Sequence, residues 1–163
     1  MKNHMKMTVP QKIMEILSAA FFIGMIVCLI FRWSSMPSEV PYHYDAAGNP
    51  DRWNPKSVVL MMPVIAIVLY AVLSLIIFSR HLWNVPENAM KNLYGRMFRN
   101  VREMLSALKL VLTGIFGYLT VCSALLRPWG EYFVVAAILL LLGTVVFYSI
   151  RIILSGFKKT ASS

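Results

Sequence analysis

Residues 58–78 read "VVLMMPVIAIVLYAVLSLIIF", twenty-one consecutive positions without a charged side chain. At 1.5 Å per residue, a helix of about 20 apolar residues crosses the roughly 30 Å of hydrocarbon in a bilayer. Working outward, runs of the same kind occupy residues 13–31, 105–126 and 133–154. With 58% hydrophobic and only 14% charged residues, the chain is richer in apolar side chains than a soluble domain of 163 residues. The expectation is an all-α fold, a four-helix transmembrane bundle forming one integral membrane domain over residues 1–163. The lipid bilayer is its first partner. The first run ends in Phe31, Arg32 and Trp33 without a small-residue cleavage site, so it reads as a retained span and not as a signal peptide.

The formal charge of +9 does not indicate nucleic acid, because the basic residues sit at span ends and in one connection. Lys2, Lys6 and Lys12 precede the first run, Arg80, Lys91, Arg96, Arg99 and Arg102 fill the 79–104 connection, and Lys158 and Lys159 follow the last run. In the 32–57 loop, Arg32, Arg52 and Lys56 are balanced by Glu39, Asp45 and Asp51. The positive-inside rule then places both termini in the cytoplasm and the 32–57 loop outside. Trp33, Trp53 and Trp129 fall at the outer boundary of the spans, where indole rings favour the interface.

The middle connection begins with Pro86 and Glu87, a helix-start signal, and carries Met90, Leu93, Met97, Val101 and Leu105 at three- and four-residue spacing. An amphipathic helix over 86–104 is expected on the cytoplasmic leaflet, with Lys91, Arg96, Arg99 and Arg102 toward the headgroups or toward a membrane or cytoplasmic protein partner. Small residues at Ala20 and Gly24 in the first run, and at Thr113 and Gly117 in the third, mark stripes for close helix packing. Glu15, Lys109 and Arg151 are the ionisable residues inside the apolar runs, all toward the cytoplasmic side. Glu15 is expected to pair with Lys12 or Lys109 while the basic residues snorkel.

The polar segment "VPYHYDAAGNPDRWNPK", residues 40–56, is expected to form an ordered extracellular cap within residues 33–56. Pro41 to Asp45 read as extended chain, Gly48, Asn49 and Pro50 as a turn, and the aromatic rings as packing surface. Its candidate ligand-binding or cap-forming residues are Pro41, Tyr42, His43, Tyr44, Gly48, Pro50, Asp51, Trp53 and Lys56. A hydrogen bond between His43 and Asp51 is expected, with Lys56 or Arg52 neutralising an aspartate. His43 with two aspartates falls short of the three or four convergent ligands a metal needs, so no metal and no cofactor is expected. No nucleophile with a base-and-orienter pair and no phosphate loop is evident, which argues against an enzyme. Cys28 and Cys122 carry no spacing signature.

Met36-Pro37, Glu39-Val40-Pro41, His43-Tyr44, Gly48, Pro50-Asp51, Trp53 and Lys56 together resemble the pattern LP-x-EIP-x-H-aromatic followed by G-x-PD-x-W-x-x-K. That pattern is similar to a bacterial family of small membrane proteins described as a domain of unknown function, which forms the N-terminal module of the sporulation-delaying toxin immunity protein. The resemblance spans roughly residues 20–75. It implies a multi-pass protein of the bacterial cell membrane with a role in immunity against a membrane-active peptide, or in signalling.

Overall fold

The computed structural model describes residues 6–45, 49–79, 81–83, 93–130 and 132–157. Four helices are long and apolar enough to cross a membrane. They are α1 (Val9–Trp33), α2 (Met61–Phe78, entered through a 3-10 turn at Lys56–Leu60), α3 (Leu93–Ala124) and α4 (Phe133–Phe157). A two-stranded antiparallel sheet, β1 (Glu39–Tyr44) and β2 (Pro50–Pro55), joins α1 to α2. The fold is therefore mostly helical and not all-α, since the polar segment pairs with itself across its turn.

The start of α1 and the end of α3 each have a local cause. α1 begins four residues before its apolar run because Thr8 and Gln11 form a reciprocal capping box and Pro10 occupies the first turn, where its missing N–H costs nothing. α3 ends in a Schellman motif, with the Arg127 N–H on the Cys122 carbonyl at 3.0 Å and Leu126 N–H on Ser123 at 3.1 Å. Leu126 takes the left-handed conformation, φ 55°, where glycine is usual. That strain, about 1–2 kcal/mol, is offset because the Leu126 side chain packs against the apolar cluster beneath the hairpin.

α3 is the hub: α1, α2 and α4 pack against it, and α1 and α2 touch each other little. Thr8 on α1 meets Glu103 on α3, and Glu15 meets Lys109, so the two helices run parallel. The connections then put α2 and α4 antiparallel to α3. One end of the bundle carries the hairpin, and the other carries the chain termini and the α2–α3 connection.

The surface helix expected over 86–104 takes a different form. Residues 86–92 lie outside the described residues, and from Leu93 the chain is one helix straight through to Ala124. Its polar side does not face headgroups: Asn100, Arg102, Glu103, Ser106 and Lys109 are all buried against neighbouring helices, whereas Tyr94, Phe98 and Arg99 are exposed. In lipid the cheap surface is apolar, so the polar stripe turns inward where partners exist.

The small-residue stripes also divide. Thr113 and Gly117 are buried in α3, and a Cβ on Gly117 would stand 4.0 Å from Met25 Cβ and from the Phe21 carbonyl oxygen. Ala20 and Gly24 lie on the exposed side of α1, and a Cβ on Gly24 would meet nothing, so within this chain they are not packing residues. The α1 seam follows Gln11, Ser18 and Met25 instead, because the polar Gln11 and Ser18 select the face hidden from lipid. Gly117→Leu is thus expected to lower stability by about 1–3 kcal/mol through overpacking against Met25, while Gly117→Ala and Gly24→Leu remain close to the native value. Thermal unfolding of the three variants in one detergent checks this.

Candidate functional site

The hairpin is built on an apolar seat. Val40, 1% exposed, packs with Leu29, Met36, Val59 and Ala124, and Trp33, Val58 and Leu126 close around them. Lys56 sits on this seat as well. It does not neutralise an aspartate as expected; its Nζ lies 4.9 Å from the Trp33 ring centroid and donates to the Trp33 carbonyl at 3.4 Å. A cation over an indole face beside a helix-end carbonyl is stabilised from both sides.

The strand register explains which side chains the hairpin displays. Pro41 pairs with Trp53 and His43 with Arg52, so Tyr42 is an extra residue on β1; Tyr44 pairs with Pro50, so Asp51 is an extra residue on β2. These are two compensating bulges, and bulges re-aim side chains. By simple alternation Tyr42 would share the seated face with Val40, yet it is 52% exposed. The Asp51 carboxylate lies 2.6 Å from His43 Nδ1, the pair that the flanking register sets opposite each other, although Arg52 is the aligned neighbour. An ionised carboxylate only accepts, so Nδ1 is the donor of this contact. Trp53 is exposed on β2, and Asp45 closes the far end by accepting from the Asn49 backbone N–H at 2.8 Å.

The hairpin therefore offers an imidazole oriented by a carboxylate, flanked by two exposed aromatic side chains. Pro41 and Pro50 lie in the strands, Gly48 lies outside the described residues, and so does the Tyr44 side chain. Among the described residues no group of three or more His, Cys, Asp or Glu converges as a metal site. Cys28 and Cys122 are free thiols.

A second polar cluster fills the other end of the bundle, and sequence reasoning reached only part of it. Lys109, 1% exposed, pairs with Glu15 and donates to Ser74 Oγ at 3.1 Å. Glu103 accepts from Arg151 at 3.0 Å and from the Thr8 hydroxyl at 2.9 Å. Arg102 Nε donates to the Ile77 carbonyl at 3.0 Å and Trp83 Nε1 to the Ile76 carbonyl at 2.7 Å, which satisfies carbonyls left open at the α2 C-terminus. Glu103, Ser74 and Thr8 were not singled out. The available signal was the three- and four-residue spacing of Glu103, Ser106, Lys109 and Thr113, with Arg102 beside the first of them, a polar stripe too long for a surface helix.

Neither a curated protein nor a solved structure matches the chain. Residues 20–67, from the middle of α1 through the whole hairpin into the first turns of α2, match the family model described as a domain of unknown function, DUF1648, so the likeness covers the hairpin and the part of its seat that α1 and the start of α2 supply.

Proposed function

We propose that this chain is a non-enzymatic, multi-pass protein of the bacterial cell membrane whose hairpin faces outward and binds a peptide or lipid ligand at the outer leaflet, in toxin immunity or signalling. Both termini and the 79–93 connection then lie in the cytoplasm, where the positive-inside count puts them. The observation that carries the reading is the division of the hairpin. Val40 holds it to the bundle, while Tyr42, His43 and Asp51 stay exposed, the last two in contact with each other. A segment serving only to plug the bundle would have no use for polar and aromatic groups aimed outward.

The test is survival of a sensitive host expressing the chain and challenged with peptides secreted by the source organism. A variant with Tyr42, His43, Asp51 and Trp53 replaced by alanine, inserted at equal level, is expected to lose protection by tenfold or more. Protection by neither chain would move the assignment to an accessory subunit of a membrane complex. One feature favours that second reading: α1 leaves Ala20 and Gly24 on its outer side with open space beyond Gly24, room for a partner helix to approach closely. Site-specific crosslinking from position 24 would capture that helix.

A further inference from the structure

We propose that the α1–α3 interface holds a single ordered water molecule at the level of Gln11 and Ser106, bound by Gln11 Nε2, Ser106 Oγ and Glu15 Oε1. These three atoms are buried and have no hydrogen-bond partner among the described residues. The Gln11 and Ser106 side chains are themselves 1% and 0% exposed.

The helix register brings them to one level. Thr8 meets Glu103 below and Glu15 meets Lys109 above. Gln11 is one turn from each of Thr8 and Glu15, and Ser106 is three residues from each of Glu103 and Lys109, so Gln11 and Ser106 face each other between the two contacts.

Donor and acceptor counting selects the occupant. Gln11 Oε1 already accepts from the Thr8 backbone N–H at 2.8 Å, which leaves the amide NH2 as a donor. Glu15 Oε2 is taken by Lys109, which leaves Oε1 as an acceptor. Ser106 Oγ does either. The missing group must accept from an amide and donate to a carboxylate. A metal cation fails on the first requirement and an anion on the second; water meets both, and three hydrogen bonds is the usual complement of a buried water.

The same interface shows the contrast toward the hairpin. Thr113 and Thr120 are as buried as Ser106, but their hydroxyls donate to their own helix at the Lys109 and Phe116 carbonyls, 2.6 and 2.8 Å away. Neither of these hydroxyls needs a water.

Water-edited solid-state NMR of the 13C-labelled full chain in lipid bilayers tests this, with Ser106 Cβ and Thr120 Cβ compared because both carry fully buried hydroxyls. Water magnetisation is expected to reach Ser106 Cβ at least threefold faster than Thr120 Cβ. In the Gln11→Met, Ser106→Ala double variant the transfer to Glu15 Cδ should fall by at least half, with Thr113 and Thr120 shifts unchanged as evidence of folding. Equal build-up at Ser106 and Thr120 would overturn the proposal, and so would an unaltered Glu15 signal in the folded double variant.

Discussion

Lys109→Met is expected to destabilise the protein by about 3–5 kcal/mol, the cost of leaving a buried partner charge without its counterion. Lys109 does not snorkel to headgroups. At 1% exposure it is enclosed by Glu15 on α1, by Ser74 on α2, and by the rings of Tyr70 and Phe78 at 4.5 and 5.6 Å. One ammonium thus joins three helices, and α1 and α2 have little other contact through which to hold each other. Removing it strands the Glu15 carboxylate in a medium that penalises an unpaired charge. Lys109→Met combined with Glu15→Gln removes both charges together and should recover more than half of the loss, since neutral replacement of a whole buried pair is far less costly than breaking it. Unfolding midpoints of the two single variants and the double variant in one detergent give the coupling energy directly. A Lys109→Met protein as stable as the native chain would mean that the ammonium reaches the interface and that the three-helix junction is not ionic.

The residues that were legible from the sequence and those that were not divide along a physical line. Lengths of apolar chain, such as 58–78, are set by bilayer thickness and can be read locally. The start of α1 at Val9 lies outside the apolar run because a capping box, not hydropathy, fixes it. α3 was foreseen as two pieces, a surface helix and a span. Lys91, Arg96, Arg99 and Arg102 read as a polar side turned to headgroups, whereas from Arg102 to Lys109 the polar side is the inside. Glu15 had two basic candidates, and the choice of Lys109 over Lys12 depends on how α1 is rotated against α3. In the hairpin, the extended strand and the meeting of His43 with Asp51 follow from proline placement and residue type, whereas of the turn expected at Gly48, Asn49 and Pro50 the first residue lies outside the described residues and the last belongs to β2. The compensating bulges do not follow from these, because register belongs to the pair of strands and not to either sequence alone. Lys56, one of the two basic residues expected beside an aspartate, is found over Trp33.

Val40→Asp is expected to release the hairpin while leaving the four spans in place. A two-stranded hairpin is marginal by itself in water. Its paired bulges reduce the ladder further, so its order depends on the seat made by Leu29, Met36, Val59 and Ala124. A carboxylate at a position 1% exposed among those side chains has no partner there, and its burial costs more than the apolar contacts that hold the hairpin down. Detachment is the lower-energy response, because lipid continues to confine the helices. Trypsin cleavage after Arg52 is expected to accelerate at least tenfold in lipid nanodiscs with helical content unchanged. Val40→Ala, which loses roughly 1.5–2 kcal/mol of burial, should give an intermediate rate. The His43–Asp51 contact should weaken with the seat, since it depends on the two strands staying paired, and ligand binding through the hairpin should weaken with it. Native cleavage rates in Val40→Asp would show that strand pairing alone orders the hairpin, and would separate the display of Tyr42, His43 and Asp51 from the packing beneath them.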